Sequence, residues 1–351
     1  MKTLFDEIRM GDLTLKNRIV MAPLTRSRAG TERQPNDLMK EYYAQRAGAG
    51  FILTEATAVT PMGVGYADTP GIWSKEQVLG WKKITAAVQE RGSRIFLQLW
   101  HVGRISDPMF LNGELPVAPS AIAAEGHVSL VRPQRQFVTP RALSTAEVKL
   151  AIEQYRKAAE NAKCAGFDGV EIHGANGYLV DQFLQSGSNQ RTDQYGGPIE
   201  NRARFALEVV DAILTLWPAD RVGFHLSPRS DSNSMSDGNP RETFTYLARE
   251  LGKRKLAFLF IRERQGENYL TPELKKEFGG LVIANQGLNA ELAQDLLDRN
   301  QADLVSFGSL YISNPDLAER LKIKAPLTPP NSSTFYTAGA RGYTDYPKIN
   351  S

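Results

Sequence analysis

The feature that most constrains this chain is an alternation: eight short β-rich runs recur along it, each separated from the next by a longer segment with helical spacing. The runs are Arg18–Met21, Phe51–Thr54, Arg94–Leu99, Gly169–Ile172, Val222–Leu226, Phe258–Ile261, Leu281–Ala284 and Leu304–Phe307. Helical spacing covers Asp37–Ala49, Glu76–Glu90, Thr145–Ala165, Ile199–Leu216, Arg241–Arg254, Asn289–Asn300 and Pro315–Leu321. Strands joined through helices run parallel, and runs such as FILT, GVEI and LVIA are apolar on both faces, as helix-covered strands require. Eight such units predict an α/β fold, a closed (β/α)₈ TIM barrel rather than an open sheet. Barrels of 351 residues fold as one unit, so residues 1–351 are expected to form a single domain.

Local signals refine the picture. Asp37 is expected to cap the first helix, Ser144-Thr145-Ala146-Glu147 forms a capping box before the third, and Asn314-Pro315 reads as cap plus first-turn proline. Residues 1–17 read as two short strands about Met10-Gly11-Asp12 that close the barrel floor. The Pro- and Gly-rich stretch from His101 to Ala142 after the third strand is read as a lid or subdomain over the strand ends.

Composition excludes several classes. The net charge is +3 with no dense basic stripe interleaved with aromatics, so nucleic acid is not an expected partner. No apolar run reaches the length of a membrane span, and Asp6 and Glu7 occupy the place of a secretory apolar region, so a cytoplasmic protein is expected. Cys164 is the only cysteine, which rules out an intrachain disulfide or a cysteine-ligated iron–sulfur cluster.

In such a barrel the reacting groups sit at the carboxyl ends of the strands. Those ends carry Thr25, Glu55, Gln98 with Trp100 and His101, His173 with Asn176 and Tyr178, His225 with Ser227, Arg262, Asn285 with Gln286, and Gly308 with Ser309. The fourth unit is the most specific: GFDGVEIHGANGYL over 166–179, then Asp181-Gln182-Phe183-Leu184 and SNQRTDQYGG over 188–197. With Met21-Ala22-Pro23-Leu24-Thr25-Arg26, Glu55-Ala56-Thr57, Gln98-Leu99-Trp100-His101, Ile199-Glu200-Asn201-Arg202, Asn314-Pro315-Asp316-Leu317 and the tail GYTDYP over 342–347, the chain resembles the Old Yellow Enzyme family of FMN-dependent ene-reductases.

That resemblance implies FMN as cofactor, NADH or NADPH as reductant, and a small electron-poor alkene as substrate, to whose β-carbon the flavin N5 delivers hydride. It implies His173 and Asn176 as donors to the carbonyl or nitro oxygen on which charge develops, and Tyr178 as proton donor to the α-carbon. It places Pro23, Leu24, Thr25, Ala56, Gln98, His225, Gln286, Gly308 and Ser309 against the flavin, Gln98 as both donor and acceptor, and Tyr66, Trp100 and Tyr336 around the substrate. Two positions depart from the family: relatives carry arginine where this chain has His225 and Ser309. Arg262 or Arg264 is a candidate replacement.

Two rival readings follow from the residues. His101, His173 and His225 follow three successive strands and could ligate a zinc in a barrel hydrolase, although strand parity turns His101 away from Gln98 and Trp100. His225 and Ser309 could instead mark a flavin-impaired homologue acting as a binding or scaffold protein.

Overall fold

The computed structural model describes residues 2–349. Its parallel strands Ile19–Met21, Phe51–Leu53, Arg94–Trp100, Gly169–His173, Val222–Leu226, Phe258–Arg262, Leu281–Asn285 and Leu304–Phe307 pair in chain order. The last returns to the first, with Phe307 opposite Met21, so the sheet closes. Thr57–Ala58 adds a short parallel segment along the end of the third strand.

Alternation along each strand divides its side chains between two environments. Leu97, Leu99, Val170, Ile172 and Leu226 join the large apolar layer between barrel and helices. Phe51, Phe96 and Phe258 face the axis and meet there with ring centroids 5.3 to 5.8 Å apart. Glycine makes room for them. A Cβ on Gly169 would stand 2.1 Å from the Phe96 ring, and one on Gly223 2.1 Å from that of Phe258. Below this trio the antiparallel hairpin Ile8–Met10/Leu13–Leu15 presses Met10, Leu13 and Leu15 into the same cluster and seals the floor. Each such buried side chain contributes about 1.5–3 kcal/mol.

The long helix Thr145–Cys164 begins at the expected capping box, where Ser144 Oγ accepts from Glu147 N and Glu147 Oε2 accepts from Ser144 N. It buries Val148, Ala151, Tyr155, Ala158, Ala159 and Ala162 against the barrel. Two other expected caps differ. Asn36, not Asp37, caps the first helix, accepting from Met39 N while its amide anchors on Arg28 O, and Asp37 lies in the first turn. That helix ends at Gln45 rather than Ala49. Asn314 closes the short helix Ser309–Ser313, and the final helix, Leu317–Ile323, starts after Asp316. Asn314 bonds Leu310 O and Thr328 O, so tertiary partners override its capping tendency.

Three helices lie outside the periodic reading: Leu179–Leu184, Thr271–Phe278 and Ser309–Ser313. The second lacks a local side-chain cap because its cap is distant in sequence: Glu263 accepts from the backbone N–H groups of Leu270 and Thr271. The stretch 101–142 carries little regular structure beyond a 3₁₀ turn at Pro108–Phe110 and the pairing of Val117–Ala118 with Arg141–Ala142. It brings His127, Ser129, Leu130 and Arg132 beside the barrel mouth.

Candidate active site

The loop after the fourth strand is built by two successive left-handed residues, Asn176 (φ 59°) and Gly177 (φ 77°). Asparagine tolerates that region, and at Gly177 a Cβ would approach Ser232 O to 2.7 Å. The turn is fastened on every side. Asn176 N donates to Ser227 Oγ (2.8 Å), Asn233 Nδ2 donates to Asn176 O (2.8 Å), and Gly177 N donates to the buried carboxyl of Asp181 (2.8 Å). Asn176 Oδ1 accepts from Arg262 at 2.6 Å, which leaves Nδ2 as a donor with no protein partner among the described residues. The His173 ring stands edge-on to that of Tyr178 at 5.0 Å, and its nitrogens make no hydrogen bond to the protein among the described residues, Nδ1 being fully buried.

A layer of polar side chains lies in the barrel below the mouth. The register sets Gln98 opposite Glu171 and His173 opposite His225. Gln98 Nε2 reaches both Glu171 Oε2 (2.7 Å) and His225 Nδ1 (3.1 Å). Both amide N–H groups are thereby directed at protein, and Gln98 offers a ligand only its carbonyl oxygen, rather than the donor and acceptor expected of it. Burial raises Glu171 to about 8. Burial, with the nearby Arg262 charge, lowers His173 to about 3, and burial takes His225 well below the ordinary histidine range, helped by His173 and Arg262. At neutral pH this layer is therefore uncharged. His173 Nδ1, His225 Nε2, Trp100 Nε1 and Glu171 Oε1 are buried without a protein partner among the described residues.

Aromatic rings wall the mouth. Tyr66 stacks on Trp100 at 5.4 Å, Tyr178 stands edge-on to Trp100 at 5.1 Å, and the Tyr66 and Tyr178 hydroxyls are 2.9 Å apart. Burial, with Tyr66 beside it, holds the Tyr178 phenol well above its ordinary value. Tyr66, Tyr178, Tyr336 and Thr25 line one cavity with the loop residues His127, Ser129, Leu130 and Arg132. Tyr336 is brought there by the tail, because Arg26 and Arg28 both donate to Phe335 O, and Arg26 also donates to Gly342 O (2.7 Å). Ala56 packs with Trp100, Val102, Ile105 and Ala124 in one small cluster, and Pro23, Leu24 and Thr25 are half-buried after the first strand.

The seventh and eighth strand ends are where the sequence resemblance expects a phosphate to be held. There Gln286 (φ 88°) and Gly287 (φ 73°) are both left-handed, and Ser309 is exposed beside Gly308, whose Cβ would lie 3.3 Å from Leu24. Cations come from the neighbouring sixth strand. Arg264 lies over Gly287, its Nε 3.5 Å from where a Cβ would be, and Arg262, Arg264 and Gln286 border a common cavity. Arg264, like Arg262, has no carboxylate partner among the described residues, whereas Arg229 is paired with Glu263.

His101 does not join the other histidines. Its Nδ1 accepts from Gly103 N (3.0 Å) and its ring packs against Gly63, so the three-histidine arrangement is not assembled. The sequence reading did not single out Glu171, whose buried pairing with Gln98 follows from the register, or the contact of Arg262 with Asn176. The orphaned polar atoms, the small Ala56 and the amide carbonyl of Gln98 fit a flat heteroaromatic ring with a polar edge, and Arg264 fits its phosphate.

The NADH:flavin oxidoreductase / NADH oxidase family model matches residues 3–328. The chain is 40% identical to 12-oxophytodienoate reductase 2 of Arabidopsis thaliana, over 98% of this chain and 95% of that one. Among solved structures, morphinone reductase in complex with tetrahydroNAD superposes with a TM-score of 0.96 at 46% identity, covering 99% of this chain and 98% of that one. The old yellow enzyme homologue from Zymomonas mobilis also gives 0.96, at 43% identity over 98% of this chain and 99% of that one.

Proposed function

This chain belongs to the NADH:flavin oxidoreductase / NADH oxidase family, the Old Yellow Enzymes, and from that premise we infer how its own residues serve the family reaction. The protein is an FMN-dependent oxidoreductase that uses NAD(P)H to reduce C=C bonds conjugated to a carbonyl or nitro group. FMN, when bound, supplies the two-electron carrier between NAD(P)H and the alkene β-carbon. The observation that carries the assignment of roles is that His173, and Asn176 with its Oδ1 taken by Arg262, have nitrogens without a protein partner among the described residues beside the Tyr178 ring at one barrel mouth.

His173 and Asn176 donate to the activating oxygen of the alkene, where negative charge grows as hydride arrives; fixed donors in a site shielded from water stabilise that charge more than the starting carbonyl. Tyr178, protonated at neutral pH, gives its proton to the α-carbon, and its Tyr66 partner orients the hydroxyl. Pro23, Leu24, Thr25, Ala56, Gln98 and His225 would hold the flavin ring, with Gln286, Gly308, Ser309 and Arg264 at the phosphate. Trp100, Tyr66 and Tyr336 limit the substrate to a small flat alkene. A single domain follows from the one closed barrel, and the lone exposed thiol of Cys164 suits the reducing cytoplasm.

The test is NAD(P)H oxidation by flavin-loaded protein in the presence of cyclohexenone or a maleimide. Consumption of the alkene with stoichiometric NAD(P)H is expected, and no turnover by a fully loaded sample would overturn the reading.

A further inference from the structure

Arg262 ends the sixth strand, and its inward register carries it to the mouth two residues beyond Phe260. Its guanidinium donates to Asn176 Oδ1 at 2.6 Å, and that is its one side-chain bond among the described residues. Among the described residues no carboxylate pairs with it. Asp231 and Glu263 border the adjoining cavity, but Glu263 is taken by Arg229 and the helix it caps. The cations Arg229 and Arg264 border the same cavity, the former paired with Glu263, and Asp231 makes no ion pair with Arg262 among the described residues. The other titratable groups on the barrel side are His173, His225, Tyr178 and Tyr66, with Glu171 beneath, and burial keeps all of them uncharged at neutral pH.

We propose that Arg262 is a positioning and specificity residue of the oxyanion site, holding the Asn176 amide with Nδ2 free for the acceptor and setting an unneutralised positive charge that favours acceptors whose receiving oxygen is anionic. Two physical effects operate. A guanidinium bonded to Oδ1 fixes which end of the amide accepts, so Nδ2 remains the donor. A fixed cation within several ångströms favours the ionised form of a neighbouring acid by about one to three pKa units. The proposal rests on the ene-reductase reading, because it assumes that His173 and Asn176 receive a substrate oxygen.

The test uses FMN-loaded protein and 4-nitrophenol, whose phenolate oxygen mimics the developing charge and whose absorbance reports ionisation, with benzamide as an uncharged control. Three variants separate the effects: Arg262→Lys keeps a charge, Arg262→Gln keeps a donor for Asn176 without charge, and Arg262→Leu keeps neither. The parent is expected to lower the apparent pKa of bound 4-nitrophenol by about one unit or more. Arg262→Gln should lose that displacement and bind the phenolate about tenfold or more weakly with benzamide affinity unchanged, Arg262→Leu should weaken both ligands because the Asn176 amide is no longer held, and Arg262→Lys should retain both. Unchanged phenolate binding in Arg262→Gln or Arg262→Leu would overturn the proposal. So would a loss of FMN affinity in either variant without change in phenolate binding per loaded protein, since Arg262 would then serve the cofactor. Failure of the parent to take up FMN, read from the flavin spectrum before phenol is added, would instead overturn the functional reading beneath it.

Discussion

The imidazole rings of His173 and His225 lie 5.0 Å apart and within 15° of parallel, because the fourth and fifth strands pair these residues directly. Two charged rings could not be held in that contact; burial keeps both neutral. His225 therefore adds no positive charge to the floor of the site, and on the proposed reading negative charge is received by His173 and Asn176 with the Arg262 guanidinium behind them.

Replacing His173 by Ala is expected to slow the alkene half-reaction by about a hundredfold to a thousandfold, the effect of losing one donor to a developing oxyanion, or about 2.7–4 kcal/mol. Stopped-flow measurement of the two half-reactions checks this. A near-normal rate would assign the donor role elsewhere.

Tyr178→Phe is expected to leave flavin reduction by NAD(P)H intact and to slow only alkene reduction, since on the proposed reading the phenol supplies the α-carbon proton and takes no part in the first half-reaction. Equal loss in both would mean that the Tyr66–Tyr178 contact is structural.

At the phosphate end, Arg264→Ala should weaken FMN binding by about tenfold to a hundredfold, as expected for losing a charged hydrogen bond of about 1.5–3 kcal/mol. Fluorescence titration of apoprotein with FMN reads it directly. Ser309→Arg should tighten binding, and affinity that ignores both changes would place the phosphate away from these residues.

Stability should fall as pH rises from neutrality. Burial raises Glu171 to about 8 and Glu55 and Asp181 to about 7, so the unfolded chain releases these protons first, and stability present at low pH is lost up to those values. The buried histidines act oppositely, since His101 and His173 are lowered to about 3 and His225 is also lowered, but their effect ends near the ordinary histidine value of about 6.5. Above it only the carboxyls act, each with a slope of up to about 1.4 kcal/mol per pH unit. Urea midpoints of flavin-free protein should drop between neutral and mildly alkaline pH, less so in Glu171→Gln. A rise over that interval would refute the assignment.

Gly223→Ala should destabilise the barrel by about 1–3 kcal/mol, because its methyl would meet the Phe258 ring inside a floor closed by the hairpin. Retained stability in a denaturant titration would show that the aromatic trio can shift.

Much of this arrangement is legible in single segments. The βα alternation announces the barrel, and the run from His173 to Tyr178 announces the chemistry, because both are local patterns. The helix Thr271–Phe278 is not legible in that way, since its cap is Glu263 from the preceding loop. Nor is the restriction of Gln98 to an acceptor, which depends on Glu171 and His225 lying on the next two strands.

Strand parity is a property of the sequence: with side chains alternating at every residue, Gln98 and Trp100, Glu171 and His173, and Phe260 and Arg262 must each share a face. Tertiary structure alone decided which of these neighbours touch. Closure of the eighth strand on the first, and the register of each pair, bring Arg262 to Asn176 across 86 residues of chain. That contact depends on hydrogen-bond pairing between distant strands and on a left-handed turn held by Ser227, Asn233 and Asp181, forces that no local stretch of sequence contains.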